Sequence, residues 1–492
     1  ILIQSEKLGQ TPQEYVSHWN KRDYEDFTAF DIDFDFFYKT SSDENISFVQ
    51  EIFEKLQKNG HIYEKEIIQF FCETDKKFLP DRFVKGTCPY CNAEDQYSDL
   101  CEKCGRVPEE IGSPHCSICG QTPIKKSTNH YFFKLKNFTD SLLDYLTNSP
   151  HLQKDVKKYV ENWIKEGLVD WDITRDISWG VPVPIEGLKN KVFYGWFDNH
   201  LAYISSTLKF LNDKNIDGKT FWNEADIYHF IGKDIVYHHY LFLPAMRLGI
   251  DKEFKLPDYI PTRGHLTLQG KKISKSRNWY IGLKDFLEVF PADYLRFYLI
   301  SINPYSQDDL NFDWEQFSTK INSELIGNLG NLVNRVLGFT TKSFDGIVPE
   351  PEEFDEKDKE SEKKIKSLAE DVSKLMQENY LDRALKKLME FSAHFNQYFQ
   401  HKEPWKKGPG TNTCIYLSVS AVRSLAICLQ SFLPKSSQKI WDQLGLNGNI
   451  EIDWAAMSEL SLKSGHKIGT VTPIFSKIEP SVIEQEQSKL GK

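Results

Sequence analysis

The chain has 492 residues, a formal charge of −10, and 34 Phe and 22 Tyr. Its length accommodates several domains and a large core, and its aromatic content excludes a disordered chain. The acidic balance excludes a surface coated in basic residues but not a local Lys/Arg stripe for nucleic acid; no apolar run reaches the ~20 residues of a membrane span, and no signal peptide opens the chain.

Residues 1–62 read as helical, with Phe48, Ile52, Phe53 and Leu56 on one apolar face that belongs to a core. Six of the nine cysteines then follow in three CxxC pairs within one short stretch. That usage points to metal ligation in a reducing compartment, hence the cytoplasm, rather than to a disulfide framework. Cys88 and Cys91 form the first pair and Cys101 and Cys104 the second, with Gly105 letting that turn clear its own backbone. Two such turns make a closed tetrahedral S₄ site, the pattern of structural Zn2+. The third pair, Cys116 and Cys119, lacks a fourth. Cys72, Asp75 and His115 are the candidates to complete a second site, and the other reading is a knuckle without metal.

The run Tyr131-Phe132-Phe133-Lys134-Leu135 predicts a strand. Between 187 and 262 the pattern is α/β, with Lys191-Val192-Phe193-Tyr194-Gly195-Trp196-Phe197 as one buried strand and Ile227-Tyr228-His229-Phe230-Ile231 as the next. A ligand crevice belongs at the carboxyl ends of such strands. Residues 263–318 form a small α/β module, and 319–460 turn helical. Ile365, Leu368, Val372, Leu375 and Met376 make one apolar stripe there, and Leu381, Leu385, Leu388 and Met389 another. Cys414 and Cys428 read as core residues, Pro349-Glu350-Pro351-Glu352-Glu353 as an exposed linker, and 461–492 as a polar tail around Pro473-Ile474-Phe475.

Within the small module stands Gly270-Lys271-Lys272-Ile273-Ser274-Lys275-Ser276. Two ammonium groups three residues apart, spaced by hydroxyls and entered through a glycine, suit a loop that holds a polyphosphate; a solvated basic turn is the plain alternative. A Walker loop is excluded, because five residues separate Gly264 from Gly270 and Lys271 is followed by Lys272 rather than Ser or Thr.

The pentamer Lys272–Ser276 resembles the KMSKS signature of class I aminoacyl-tRNA synthetases, with Ile273 in place of Met. Phe78-Leu79-Pro80-Asp81-Arg82-Phe83 leading to Cys88, and Asp95-Gln96-Tyr97-Ser98-Asp99 leading to Cys101, resemble the zinc-bearing connective insertion of methionyl-tRNA synthetases. Further matches follow in the family's order: Trp171-Asp172-Ile173-Thr174-Arg175-Asp176 with Trp179-Gly180, then Tyr228-His229-Phe230-Ile231-Gly232-Lys233-Asp234-Ile235, Asn331-Leu332-Val333-Asn334-Arg335 and Glu403-Pro404-Trp405. The resemblance runs from residue 1 to 477 and is closer to the archaeal and eukaryotic branch.

The resemblance implies a Rossmann-like catalytic domain (1–62 and 187–262) split by the connective insertion (63–186). It also implies a stem-contact module with the KMSKS-like loop (263–318), a helical anticodon-binding domain (319–460) and a tail (461–492). It implies ligation of L-methionine to tRNA(Met) through methionyl-adenylate, with ATP and its Mg2+. Lys272 and Lys275 would act on the departing pyrophosphate with Ser274. Arg175, Gly232, Lys233 and Asp234 would hold ATP, although Asp234 also fits a helix cap. Trp196, Tyr203, Ile235 and His239 would line the methionine pocket, with His239 bonding a nearby tyrosine; a core tryptophan is the plain reading of Trp196, and His229 reads as a packed strand histidine. Asn331, Arg335 and Trp405 would read the anticodon, or else cap a helix and fill a core. The family commonly has Asp-Ala-Pro where this chain has Asp198-Asn199-His200, and no HIGH-type string is found. The chain opens on Ile1 at a point downstream of the family's start, which leads to an expectation that another segment or chain supplies the first βαβ portion. The alternative function is a non-catalytic tRNA-binding protein derived from a synthetase. No appended domain is read after the bundle, so a monomer is expected.

Overall fold

The computed structural model describes every residue except 100, 102, 105, 107, 189 and 451–461. Gly105 and the end of the helical stretch read to 460 therefore lie outside the described residues. The chain divides into two compact units, one of Ile1–Tyr24 with Phe34–Pro261 and one of Glu25–Asp33 with Thr262–Lys492.

In the first unit the helix Asp43–Lys58 starts at Ser42, whose hydroxyl accepts from the Asn45 N–H at 3.2 Å. Acidic residues in its first turn and lysines in its last complement the helix dipole. Its buried face is Val49, Ile52, Phe53 and Leu56, while Phe48 sits at the edge. The chain then enters a long antiparallel pair, Ile62–Cys72 against Ile124–Phe133, in register from Ile62 opposite Phe133 to Phe71 opposite Ile124. Lys77–Phe78 and Trp171–Asp172 complete this four-stranded sheet. The expected strand at Tyr131 ends at Phe133, because Leu135 already opens a 3₁₀ turn. Residues between the two long strands build a three-stranded sheet (Gln96–Tyr97, Val84–Thr87, Gly112–Cys116) around its own small core of Cys72, Leu79, Val84, Ile111 and Cys116.

The apolar run 191–197 divides into two elements. Only Val192–Phe193 is strand, paired with Thr174–Arg175, and the helix Gly195–Asn212 begins two residues later. Phe197, Leu201 and Ile204 recur at helical spacing and are buried, which explains why the run leaves the sheet. Further on, Tyr228 bridges Tyr259 in parallel, and the N–H groups of His229 and Ile231 donate to the carbonyls of Tyr259 and Pro261 at 2.9 and 3.0 Å. A tight turn at Lys233–Ile235, a widened π-type turn at His238–Phe242 and the helix Leu243–Leu248 follow.

In the second unit Leu266–Leu268 lies between Lys271–Lys272 (antiparallel) and Leu310–Phe312 (parallel). A widened helical segment, Ile321–Gly330, continues into Asn331–Ser343, and the helices Glu356–Gln377, Leu381–Lys402, Thr411–Leu429 and Pro434–Gln443 complete a bundle. One core extends from Leu268 to Ile483 and includes Ile365, Leu368, Val372, Leu385, Leu388, Met389, Cys414 and Cys428. The acidic linker is tied down: the Glu352 N–H donates to Thr413 Oγ1 at 2.7 Å. The tail packs back, with Phe475 buried and Asn322 Nδ2 donating to the Ile478 carbonyl at 2.9 Å. Thr411–Leu429 is long and apolar enough to cross a membrane, contrary to the reading of the sequence, but 89% of its apolar window is buried inside the fold. It is the bundle's core helix.

Candidate active site and its companion sites

The residues expected to line the amino-acid pocket lie in the first unit, on the helix Gly195–Asn212 and the segment after Gly232. Trp196, His200 and Tyr203 recur at i, i+4 and i+7 and so share one helical face. Facing them is the widened turn, whose His238 stacks on Trp196 at 4.4 Å between ring centroids. Tyr203 Oη and His239 Nε2 are 3.0 Å apart, and His239 Nδ1 lies 3.1 Å from the Ile235 carbonyl. A carbonyl only accepts, so Nδ1 carries the proton and the Tyr203 hydroxyl donates to Nε2. His200, His229 and His239 are buried. Burial holds His200 and His229 well below the usual imidazole range and pushes His238 and His239 down to about 4. All four are therefore neutral at physiological pH. Burial also raises the Asp198 carboxyl to about 7.

Near the start of the same helix opens a cleft of about 620 Å³, lined by Arg175, Trp179, Tyr194, Asp198 and Asn199 among others. Arg175 stacks on Tyr194 at 4.0 Å, and its Nη1 donates to the Thr174 carbonyl at 2.7 Å. A Cβ at Gly232 would lie 2.6 Å from Asp234 Oδ1, the end of a side chain that can turn aside.

In the second unit Lys272 and Lys275 are exposed on a hairpin. Gln269 and Gly270 both have positive φ (50° and 71°), the requirement of a tight two-residue turn, while nothing lies within 4 Å of a Cβ at Gly270. The glycine thus supplies a backbone conformation that the turn needs. Ser274 and Trp279 exchange two backbone hydrogen bonds of 2.9 Å, closing the loop that carries Lys275.

Both cysteine clusters come together. The sulfurs of Cys88, Cys91, Cys101 and Cys104 all lie within 4.8 Å of one another, with Cys88 to Cys104 at 3.8 Å and Cys91 to Cys101 at 3.6 Å. Tetrahedral zinc with bonds of about 2.3 Å needs sulfurs about 3.8 Å apart, so this set fits the metal. The second set is Cys72, Asp75, Cys116 and Cys119; Asp75 Oδ2 is 3.2 Å from Cys72 Sγ and 3.1 Å from Cys116 Sγ. His115 does not join it, because its ring faces Asp95 at 3.4 Å.

Asn331 and Arg335 share one face of their helix, with Asn331 Nδ2 donating to Asn396 Oδ1 at 3.3 Å. Asn331 is thus held by a side chain rather than acting as a cap. Trp405 is 44% exposed, not a core residue, and lines a groove of about 900 Å³ with Arg335, Lys342 and Lys467.

A family model described as class I tRNA synthetases (M) matches residues 1–337, and one for the anticodon binding domain of methionyl tRNA ligase matches residues 348–491. The chain belongs to the methionyl-tRNA synthetase family. The methionine--tRNA ligase of Methanopyrus kandleri is 39% identical over 503 residues, covering 100% of this chain and 74% of that protein. That of Pyrococcus furiosus is 41% identical over 490 residues, covering 95% and 67%. Among solved structures, Mycobacterium tuberculosis methionyl-tRNA synthetase in complex with methionyl-adenylate is similar at a TM-score of 0.78 and 25% identity, covering 96% of this chain and 89% of that one. This chain carries the class I synthetase catalytic fold and a helical anticodon domain, as the resemblance implied. Neither the missing-segment expectation nor the non-catalytic alternative gains support over the synthetase reading.

Trp196, Tyr203, Ile235 and His239 come together around the histidine cluster, whereas Arg175 lines the adjoining cleft. Sequence reasoning missed a network at the root of the insertion. His130 is fully buried, with Nδ1 2.8 Å from Asp172 Oδ2 and Nε2 2.9 Å from Asp176 Oδ2; Lys191 Nζ reaches Asp176 Oδ1 at 2.7 Å. It also passed over His238, which stacks on Trp196, while Asn199 and His200 were expected beside the pocket.

Proposed function

We propose that this protein is an ATP-dependent methionine--tRNA ligase. The methionine carboxylate attacks the α-phosphorus of ATP, the bond to the bridging oxygen breaks, and pyrophosphate leaves. The tRNA terminal hydroxyl then attacks the adenylate carbonyl and releases AMP. The observation that carries this reading is the synthetase match over the chain, together with the cluster of Trp196, Tyr203, His238 and His239.

Trp196 and His239 would hold the thioether, which is polarizable and sits well against rings, with Tyr203 and Ile235 completing the walls. Gly232 and Asp234 would take the ribose, and Lys233 and Arg175 phosphate charge. Lys272, Ser274 and Lys275 would stabilise the leaving pyrophosphate; such transfers are catalysed by positioning and charge rather than by proton transfer. Mg2+ accompanying ATP would neutralise phosphate oxygens. The tetrathiolate set would hold structural zinc, and the Cys72, Asp75, Cys116 and Cys119 set a second ion. Asn331, Arg335 and Trp405 would read unstacked anticodon bases by edge hydrogen bonds and stacking. The domain limits given above are proposed with these roles, as is a cytoplasmic location. Charging of tRNA(Met) with labelled methionine tests the whole: ATP-dependent label in acid-insoluble tRNA is expected, and its absence with tRNA(Met), ATP and Mg2+ all present would overturn the proposal.

A further inference from the structure

We infer that a separate cavity in the first unit binds a small organic anion, a carboxylate or a phosphate ester on an apolar body, with Arg247 as its anchor. The cavity has a volume of about 560 Å³, a size that suits a small-molecule ligand. It is lined by residues of the helices Thr139–Asn148 and Leu243–Leu248 and of the loop that follows the second. None of the residues assigned above to ATP, methionine, metal or tRNA lines it.

Arg247 lines this cavity and is fully buried, and among the described residues no carboxylate forms an ion pair with it. Its Nη1 donates to the Lys255 carbonyl at 2.6 Å, and its guanidinium carbon lies 4.9 Å from the centre of the Trp222 ring. Nε and Nη2 have no hydrogen-bond partner. Buried charges in native folds are paired, because an ion in a low-dielectric interior gives up its hydration and must be repaid by a partner. Burial pushes the guanidinium down to about 9, which leaves it charged at neutral pH. The two unanswered donors share one edge of the guanidinium plane, and such a pair meets both oxygens of a carboxylate or phosphate.

The other walls set the rest of the ligand. Tyr145, Leu248, Phe254 and Leu256 line the cavity, and Tyr145 commits its hydroxyl to the Pro257 carbonyl at 2.9 Å. They therefore offer apolar surface. Asp140 and Asp144 also line it, but both are exposed, so water and salt screen their charges far more than that of a buried guanidinium. An inorganic ion would leave the apolar walls unfilled, and an apolar molecule would leave Nε and Nη2 unanswered.

The test is calorimetric titration of the full chain with phenyl phosphate and with benzoate, beside benzyl alcohol as the neutral counterpart. Saturable binding of at least one anion is expected, with none of the alcohol at the same concentrations, and the anion that binds tells phosphate from carboxylate. Arg247→Met keeps an unbranched side chain and removes the charge. It should weaken that binding at least about tenfold, the worth of a charge-assisted hydrogen bond. No binding of either anion, or binding that Arg247→Met leaves unchanged, would overturn the inference, since anions held elsewhere on the chain do not depend on this guanidinium. Should Arg247→Met fail to fold, Ser141→Trp decides, because Ser141 is an exposed residue of the cavity lining. An indole there should obstruct the anion, and unaltered affinity refutes the inference.

Discussion

His130 and His200 are equally buried, yet one is fully answered and the other is not. His130 sits at the root of the insertion with a carboxylate on each nitrogen and a lysine behind. His200 sits in the pocket with no partner on either. Burial lowers the proton affinity of both, but at His130 the hydrogen bonds to Asp172 and Asp176 outweigh it and hold the imidazole above its ordinary range. At His130 the surrounding carboxylates answer both nitrogens, whereas His200 has no such partners. The same division separates the two cysteine clusters, closed on themselves, from the exposed ring of Trp405.

The largest expected effect lies on the framework side. Structural zinc contributes about 10–16 kcal/mol in small modules, so Cys88→Ser should lose that ion and unfold the region around 84–119. Metal analysis with limited proteolysis checks it, and unchanged zinc content would contradict the assignment. His130→Ala should come next, at about 1–3 kcal/mol, because it leaves Asp176 with Lys191 and Thr128 but without the imidazole. Denaturant unfolding reads the loss. On the ligand side, Trp405→Ala should weaken tRNA(Met) binding by about 1–3 kcal/mol without altering methionine-dependent exchange. Equal affinity in a filter-binding titration would break its place among the ligand-facing groups.

The smallest effect is also the most discriminating, because its sign differs between the two regions. His238 and His239 titrate in the folded protein at about 4 against an ordinary value of 6.5, so the unfolded chain binds more protons between those limits. Their contribution to stability is complete at neutral pH and is lost as pH falls from 6.5 towards 4. His130 is raised, so its contribution is complete below the unfolded value and is lost as pH rises through the folded one. Unfolding free energies across pH should show His238→Phe flattening the acid limb and His130→Phe the limb above neutrality.

Much of this site was legible because its signals are local. Paired CxxC turns declare their ligands by spacing, and His239 was expected to meet a tyrosine, as it does in Tyr203. Cys72 and Asp75 were rightly considered for the second cluster and His115 wrongly, since only the hairpin register settles which side chains face inward. The run 191–197 misled because a short apolar stretch has no period of its own, and the helix that begins at Gly195 shows only in residues beyond it. His130, Asp172 and Lys191 are far apart in sequence and meet through the pairing of Phe132 with Asp172, which no local pattern announces.

The account turns on where the substrate side chain lies. A crystal structure with a non-hydrolysable methionyl-adenylate analogue measures this directly. The thioether should rest between Trp196 and His239. An analogue bound elsewhere, with the four histidines unchanged around an empty space, would contradict it.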